Sequence, residues 1–475
     1  MPHKRFETHL AVSQQQLYAY HASGGAFERL VPPWDQIRIL AWKGGEDTKS
    51  LPDHQQFGDL STGTEVHLKV GPPPFALKLI ARHTEHTKPS GFVDEQVSGP
   101  FASWKHQHRF IQKNGHRSTL VDELTYKTPF FGLFDSLVSS KIDSTFHLRH
   151  LRTAMDLSRF ESYAHVGAKK IAITGASGLI GRNLSAFLRA AGHQVFHLVR
   201  RTPRLPNEIQ WNVKEGMIDT KSLEGIDAVV HLAGEPIDGR WTKAKKARVY
   251  NSRKEGTSLL SQTLATLEHP PEVLISASAV GFYGNHPTEV ADETTGPDGQ
   301  FLGRVCQDWE VAADPARDAG IRVVHPRMGV VLSGQGGALK KMLPAFMAGG
   351  GGRLGTGKQW MPWVSLEDVL GLLYTMIMDK SIEGPVNVVS PRSVRNAEFT
   401  KILGTVIRRP TVIPVPKFAI KTLFGEMGET LLLEGRKVHP SVALNIGFKY
   451  QFEDLESALR FELGKFTALS PSEEV

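Results

Sequence analysis

The chain contains one cysteine, Cys306, among 475 residues. A single thiol excludes a disulfide framework and a thiolate zinc site. No apolar run approaches the roughly 20 residues needed to cross a bilayer. The opening "MPHKRFETHL" also lacks the apolar segment of a secretory signal. Both absences point to the cytoplasm and to no membrane span. Long runs of one charge are missing as well. Net charge is +7, yet the basic residues are scattered. The densest cluster, "KAKKAR" (Lys243 to Arg248), reads as the solvated face of a helix and not as a nucleic-acid patch. No nucleic-acid partner is expected. What remains is ordinary globular composition, 40% hydrophobic and 22% charged, with length for two or three domains.

Three textures follow one another along the chain. Residues 1–165 carry short alternating segments such as "TEVHLKV" and "STLVDELTYKT", cut by Gly and Pro as in antiparallel strands. They close with "FDSLVSSKIDSTFHLRHLRTAMDLSRF" (Phe134 to Phe160), whose apolar spacing is helical. From Lys169 buried apolar strands alternate with helices: "KIAITGA", "QVFHLVR", "AVVHLAG", "VLISASA", "IRVVHPR". That alternation argues for an α/β doubly wound parallel sheet. Near Pro410 the texture changes to a small, mostly helical tail.

The stretch "IAITGASGLIGRNL" (Ile171 to Leu184) joins an apolar strand to an amphipathic helix through Gly175, Gly178 and Gly181. In this context the first glycine permits a tight turn. The second lets the backbone approach a pyrophosphate at the helix N-terminus, and the third lets helix and strand pack closely. Ser177, Leu179 and Ile180 belong to the same expected cofactor contact. At the end of the next strand an NAD enzyme usually places an acid for the ribose 2′-hydroxyl. Here Val199 stands near that place, followed by Arg200 and Arg201. Guanidinium groups suit a 2′-phosphate, so NADP(H) is the expected cofactor. Surface arginines at a strand end are the plainer alternative.

The glycine spacing, with "VVHLAGEPI" and "SASAVGFYG" after the fourth and fifth strands, resembles the extended short-chain dehydrogenase/reductase superfamily. More narrowly it resembles the NAD(P)-dependent epimerase/dehydratase branch. "GEPIDGRWT", "NSRKEGT", "GTGKQWMPWVSLEDV", "NVVSP" and the tail "LLLEGRKVHP" sharpen the likeness to a subfamily with a short C-terminal module of unknown role. The resemblance implies a small-molecule substrate and a cofactor lined by Leu232, Ala233 and Gly234, with Arg253 beside the nicotinamide.

The superfamily's Tyr-x-x-x-Lys pair, in which the tyrosine is the general acid/base, is absent. Counting back from Glu310 in "FLGRVCQDWEVAA" puts Leu302 at the tyrosine position and Cys306 at the lysine position. Ser278 is the expected hydroxyl that holds a substrate oxygen, with Ser276 beside it. Tyr283 has two readings, one at the nicotinamide edge and one in packing. Glu235 is either a proton carrier or half of a salt bridge. Ser278, Tyr283 and Glu235 are therefore the catalytic candidates. Tyr250 and Lys254 share the spacing but sit in the wrong helix. The glycine run "AGGGGRLGTG" (Ala348 to Gly357) lacks a phosphate-loop ending and is expected to form a flexible lip over the cleft, with Trp360 and Trp363 behind it.

In the first part, "PPWDQIRIL", "GPFASWKHQHRF" and "DELTYKTPFFG" resemble the START-like/polyketide-cyclase superfamily, whose helix-grip fold implies a hydrophobic ligand. His106 and His108 form an H-x-H pair on one strand face. With no third ligand evident, a structural or polar-surface role is preferred and no metal is assigned. The expected organisation is a START-like domain over 1–163, a Rossmann domain over 169–408 and a C-terminal module over 409–465. Two functions compete: an NADP-dependent oxidoreductase or epimerase-like enzyme, and a non-catalytic NADP(H)-binding sensor or scaffold.

Overall fold

The computed structural model describes residues 1–45, 58–71, 74–129 and 135–466. The "FFG" end of one sequence motif (130–132) and Phe134 lie outside the described residues. Two compact units emerge. The first takes in Met1–Gly167, Ala186–His193 and the described residues of Leu463–Val475; the second takes in Ala168–Ser185 and Gln194–Glu462. Residues 409–462 thus fall in the second unit.

In the first unit β1 (His3–Leu10) leads into two short helices, α1 (Gln14–His21) and α2 (Ala26–Leu30). Six strands follow: β2 (Ile37–Lys43), β3 (Glu65–Val70), β4 (Leu77–Thr87), β5 (Gly91–Ser98), β6 (Ser103–Gln112) and β7 (Ser118–Lys127). They pair antiparallel in the order β1-β7-β6-β5-β4-β3-β2. Helix α3 (Asp135–Ser162) closes the unit, as the apolar spacing predicts. Strand alternation sends Leu120, Leu124, Phe110 and Phe92 inward, where they are buried with residues of α1 and α3. This strand, helix and sheet order is that of a helix-grip α+β domain.

The second unit is built on β8 (Lys170–Thr174), β9 (Gln194–Val199), β10 (Glu208–Asn212), β11 (Met217–Ile218), β12 (Ala228–His231), β13 (Val273–Ser276) and β14 (Ser278–Ala279), with a later strand, Arg322–Met328. Spatial order runs β10-β9-β8-β12-β13 and then Arg322–Met328, all parallel. This is the doubly wound Rossmann order, with its crevice where β8 and β12 part company. Four-residue runs such as Ala228–His231 and Val273–Ser276 are buried throughout because helices cover both faces of a parallel sheet. The small tail is mostly helical, and Lys437–Val438 pairs parallel with Val290–Ala291 of the same unit. No helix among the described residues is long and apolar enough to cross a membrane.

Candidate functional site

The glycine loop follows β8 and opens α4 (Leu179–Ala190). Gly175 has φ +69°, and a Cβ there would sit 2.9 Å from the Leu232 carbonyl carbon and the Ala233 nitrogen. A Cβ on Gly181 would sit 2.3 Å from the Gly175 carbonyl oxygen. Both positions therefore require glycine on steric grounds. Gly178 differs. Its Cβ would meet only the Gly175 oxygen, at 3.2 Å, and otherwise enters open space. That is the shape expected where an anionic ligand approaches the backbone at a helix N-terminus. The Leu179 side chain lies beside Gly336 and Gly337, 3.3 and 3.4 Å from where their Cβ atoms would sit.

A hydroxyl fixes the neighbouring strand end. Thr174 Oγ1 accepts from the Leu232 and Ala233 amides at 3.0 and 3.1 Å. Its own proton is thus left to donate to His231 Nδ1, 2.7 Å away. Burial holds His231 down at about 4, so the ring is neutral and carries its proton on Nε2. Neither Thr174 nor His231 stood out in the sequence, because a threonine and a histidine at strand ends look unremarkable without the pairing of β8 with β12. Arg253 donates to the carbonyls of Glu235 and Val249 at 3.1 and 3.0 Å and lies over the Trp309 ring. It braces the Leu232–Gly234 segment from behind.

At the end of β9 the two arginines part. Arg201 is forked onto Glu208, with Nη1 2.8 Å from Oε2, and also binds the Thr202 carbonyl. The Arg201 guanidinium, with the Arg204 and Leu205 amides, holds the Glu208 carboxyl down at about 2. Arg201 is therefore committed to organising its own loop. Arg200 is exposed and has no hydrogen bond or ion pair among the described residues.

The catalytic candidates are engaged elsewhere. Glu235 accepts from Lys245 Nζ at 2.9 Å and lies 3.4 Å from Arg248 Nε. The hydrogen bond from Lys245, reinforced by Arg248, keeps its carboxyl below the usual range. A carboxylate held ionised this way is a poor proton donor, and the salt-bridge reading replaces the proton-carrier reading. Tyr283 is fully buried, donates to Asn387 Oδ1 at 2.7 Å and accepts from Arg327 Nη1 at 2.9 Å. Burial pushes its hydroxyl up to about 12. These partners and this burial favour the packing reading of Tyr283. Ser278 donates to Glu310 Oε1 at 2.7 Å, and Glu310 is forked onto Arg327 through Nε at 2.9 Å and Nη2 at 2.8 Å. Arg327 also lies 3.6 Å from the Phe282 ring centroid. Ser278, Glu310, Arg327, Tyr283 and Asn387 form one closed chain of hydrogen bonds.

Leu302 and Cys306 sit on the helix Phe301–Val311. Leu302 packs under Gly281, and burial pushes the Cys306 thiol up to about 12. Tyr250 donates to Asp308 and merely links two helices. The expected flexible lip is instead a packed segment. A Cβ on Gly352 would overlap the Ile413 carbonyl oxygen at 1.7 Å, and Gly355 donates to the Val415 carbonyl at 2.9 Å. Trp363 is fully buried, and Trp360 donates to the Pro287 carbonyl at 3.0 Å. Of the two roles expected for His106 and His108, the polar-surface one does not hold: each is 3% exposed, on the inward face of the first sheet.

Comparison with known proteins gives three matched segments. Residues 171–389 match the NAD dependent epimerase/dehydratase family, residues 10–145 the family of polyketide cyclase / dehydrase and lipid transport, and residues 415–462 a domain of unknown function (DUF1731). An epimerase family protein of Mycobacterium tuberculosis is 43% identical over 292 residues, 61% of this chain and 96% of that protein. The crystal structure of a nucleoside-diphosphate sugar epimerase from Corynebacterium glutamicum is 29% identical with a TM-score of 0.79, covering 97% of this chain and 90% of that one. Human epimerase family protein SDR39U1, crystallised with NADPH, is 33% identical with a TM-score of 0.58, covering 62% of this chain and 99% of that one.

Proposed function

The chain belongs to the NAD-dependent epimerase/dehydratase family, and from that premise we propose that it binds NADP(H) at the Gly175–Gly181 loop and acts as an oxidoreductase or epimerase-like enzyme on a small molecule. The observation that carries the cofactor reading is the open space beyond Gly178, together with Arg200 standing unpaired at the end of β9. The NADPH found with the human relative supports the same choice. In this reading the Gly178 backbone and the first turn of α4 face the pyrophosphate, Arg200 meets the 2′-phosphate, and Leu232, Ala233 and Gly234 line the opposite wall. Bound there, the cofactor supplies hydride exchange at its nicotinamide ring. The protein's own part is to bind and orient it. With Leu302 and Cys306 in place of the proton-relay pair, proton transfer falls to the substrate or to solvent.

A second reading, a non-catalytic NADP(H)-dependent sensor, is favoured by the closed Ser278–Glu310–Arg327–Tyr283 chain. In either reading the domain over 1–163 serves as a ligand module, supported by the apolar inward residues Phe92, Phe110, Leu120 and Phe146. Fluorescence titration with NADPH and NADH tests the cofactor: tighter NADPH binding is expected, and equal dissociation constants overturn it. Incubating the protein with NADPH deuterated at C4 and a panel of carbonyl compounds then separates enzyme from sensor. Label transfer to any of them supports the enzyme, and complete retention supports the sensor.

A further inference from the structure

The first sheet holds a cluster that the cofactor site does not use. Across β4, β5 and β6 the register sets His83 opposite Asp94 and Asp94 opposite His106. Two residues further along β6, His108 stands opposite Phe92 on one side and Asp122 on the other. Strand alternation puts all of these side chains on the inward face. His83, His106, His108 and Asp122 are each at most 5% exposed. Such a concentration of ionisable groups in a domain interior is costly unless they serve one another or a ligand.

Their geometry favours a ligand. Asp94 Oδ1 lies 3.4 Å from His106 Nδ1 and 3.7 Å from His108 Nε2. These separations are long for hydrogen bonds. They lie close to the ligand-to-ligand edge of a tetrahedral site, which bonds of 2.0–2.1 Å set at roughly 3.3–3.4 Å. One donor atom from each of the three residues falls within 4.8 Å of the others. The far nitrogens of both rings face a second carboxylate: His106 Nε2 is 3.2 Å and His108 Nδ1 2.7 Å from Asp122 Oδ1. Asp122 Oδ2 is in turn 3.0 Å from His150 Nε2, and His150 Nδ1 is 2.9 Å from Thr8 Oγ1. A metal-bound imidazole characteristically gives its other N–H to a carboxylate that fixes its tautomer and orientation.

We propose that Asp94, His106 and His108 bind one first-row divalent metal ion, of the class represented by Zn2+, with Asp122 as the carboxylate behind both histidines. Two imidazoles and one carboxylate are a donor set for zinc or ferrous iron, with a coordination position left for a ligand. The third donor that the H-x-H pair lacked in sequence comes from the neighbouring strand.

The test uses the full chain, stripped with chelator and titrated with Zn2+ by calorimetry. One equivalent per chain is expected. Asp94→Asn and His106→Gln should each weaken binding at least 100-fold, and Asp122→Asn 10- to 100-fold. Unchanged Zn2+ affinity in Asp94→Asn and His106→Gln, or no stoichiometric binding to the parent protein, overturns the proposal. Should the variants fail to fold, Co2+ added to the stripped parent chain decides it. One equivalent giving the intense visible absorption of a tetrahedral site supports the proposal. Only the weak absorption of hydrated Co2+ overturns it. Retention of NADPH affinity in the variants reports separately on the cofactor site.

Discussion

Two stretches of one parallel sheet edge make an instructive pair. After β8 and β9 the backbone is stripped of side chains at Gly178, and Arg200 has nothing to hold. After β13 and β14 one set of polar groups is tied together: Ser278 on Glu310, Glu310 on Arg327, Arg327 on Tyr283, Tyr283 on Asn387. In the proposed reading the cofactor loop keeps its polar capacity unspent, while the groups after β13 spend theirs on one another. The contrast teaches that glycine loops and catalytic side chains need not travel together in such a fold.

The contrast can be broken at its filled end first. Glu310→Ala strands a buried guanidinium and should cost about 3–5 kcal/mol in chemical unfolding; a loss below 1 kcal/mol would mean that the chain of hydrogen bonds is not structural. Next comes acid. Burial holds His231 and His325 at about 4 in the fold, against about 6.5 in the unfolded chain. Folded pKa values lie below the unfolded ones, so their stabilisation is full above about 6.5 and drains away as pH falls toward 4. His325→Gln should flatten the fall in urea midpoint across that window, by about 3 kcal/mol at most. A parallel curve for the variant would contradict it.

At the open end, Gly178→Val should raise the NADPH dissociation constant at least about 100-fold, near 2.8 kcal/mol, in a protein that still folds. Retained affinity would detach the loop from the cofactor. Arg200→Ala should narrow the NADPH-over-NADH preference about tenfold, some 1.4 kcal/mol. Arg201→Ala should change it little, since that guanidinium already belongs to Glu208. Smallest of all, Tyr283→Phe should cost about 1 kcal/mol of stability and leave NADPH affinity alone; a large kinetic effect would reinstate Tyr283 as a catalytic group.

Local rules made the fold legible. Buried runs such as Val273–Ser276 and the glycine spacing after Lys170–Thr174 carry their own meaning, as does the 28-residue helix that closes the first unit. The candidate site was legible only where backbone shape decides it. Glu235, Tyr283 and Arg201 are chemically able residues near the expected place. Their partners, Lys245, Asn387 and Glu208, lie up to 104 positions away, and no local pattern announces that a polar group is already taken. Asp94, on the strand beside the H-x-H pair, is likewise brought to it only by the sheet register.

Glu293 carries a consequence for how the chain comes together. Its carboxylate accepts from the amides of Asn387 at 2.9 Å, Ser441 at 3.1 Å and Val442 at 3.3 Å. A buried carboxylate with those donors absent would be a charge without partners. During synthesis Asn387 emerges well before Ser441 and Val442, so two of the three donors to Glu293 reach it only with the tail. A chain truncated before residue 440 leaves Glu293 with one of its three donors, and it should unfold at lower urea than the full chain.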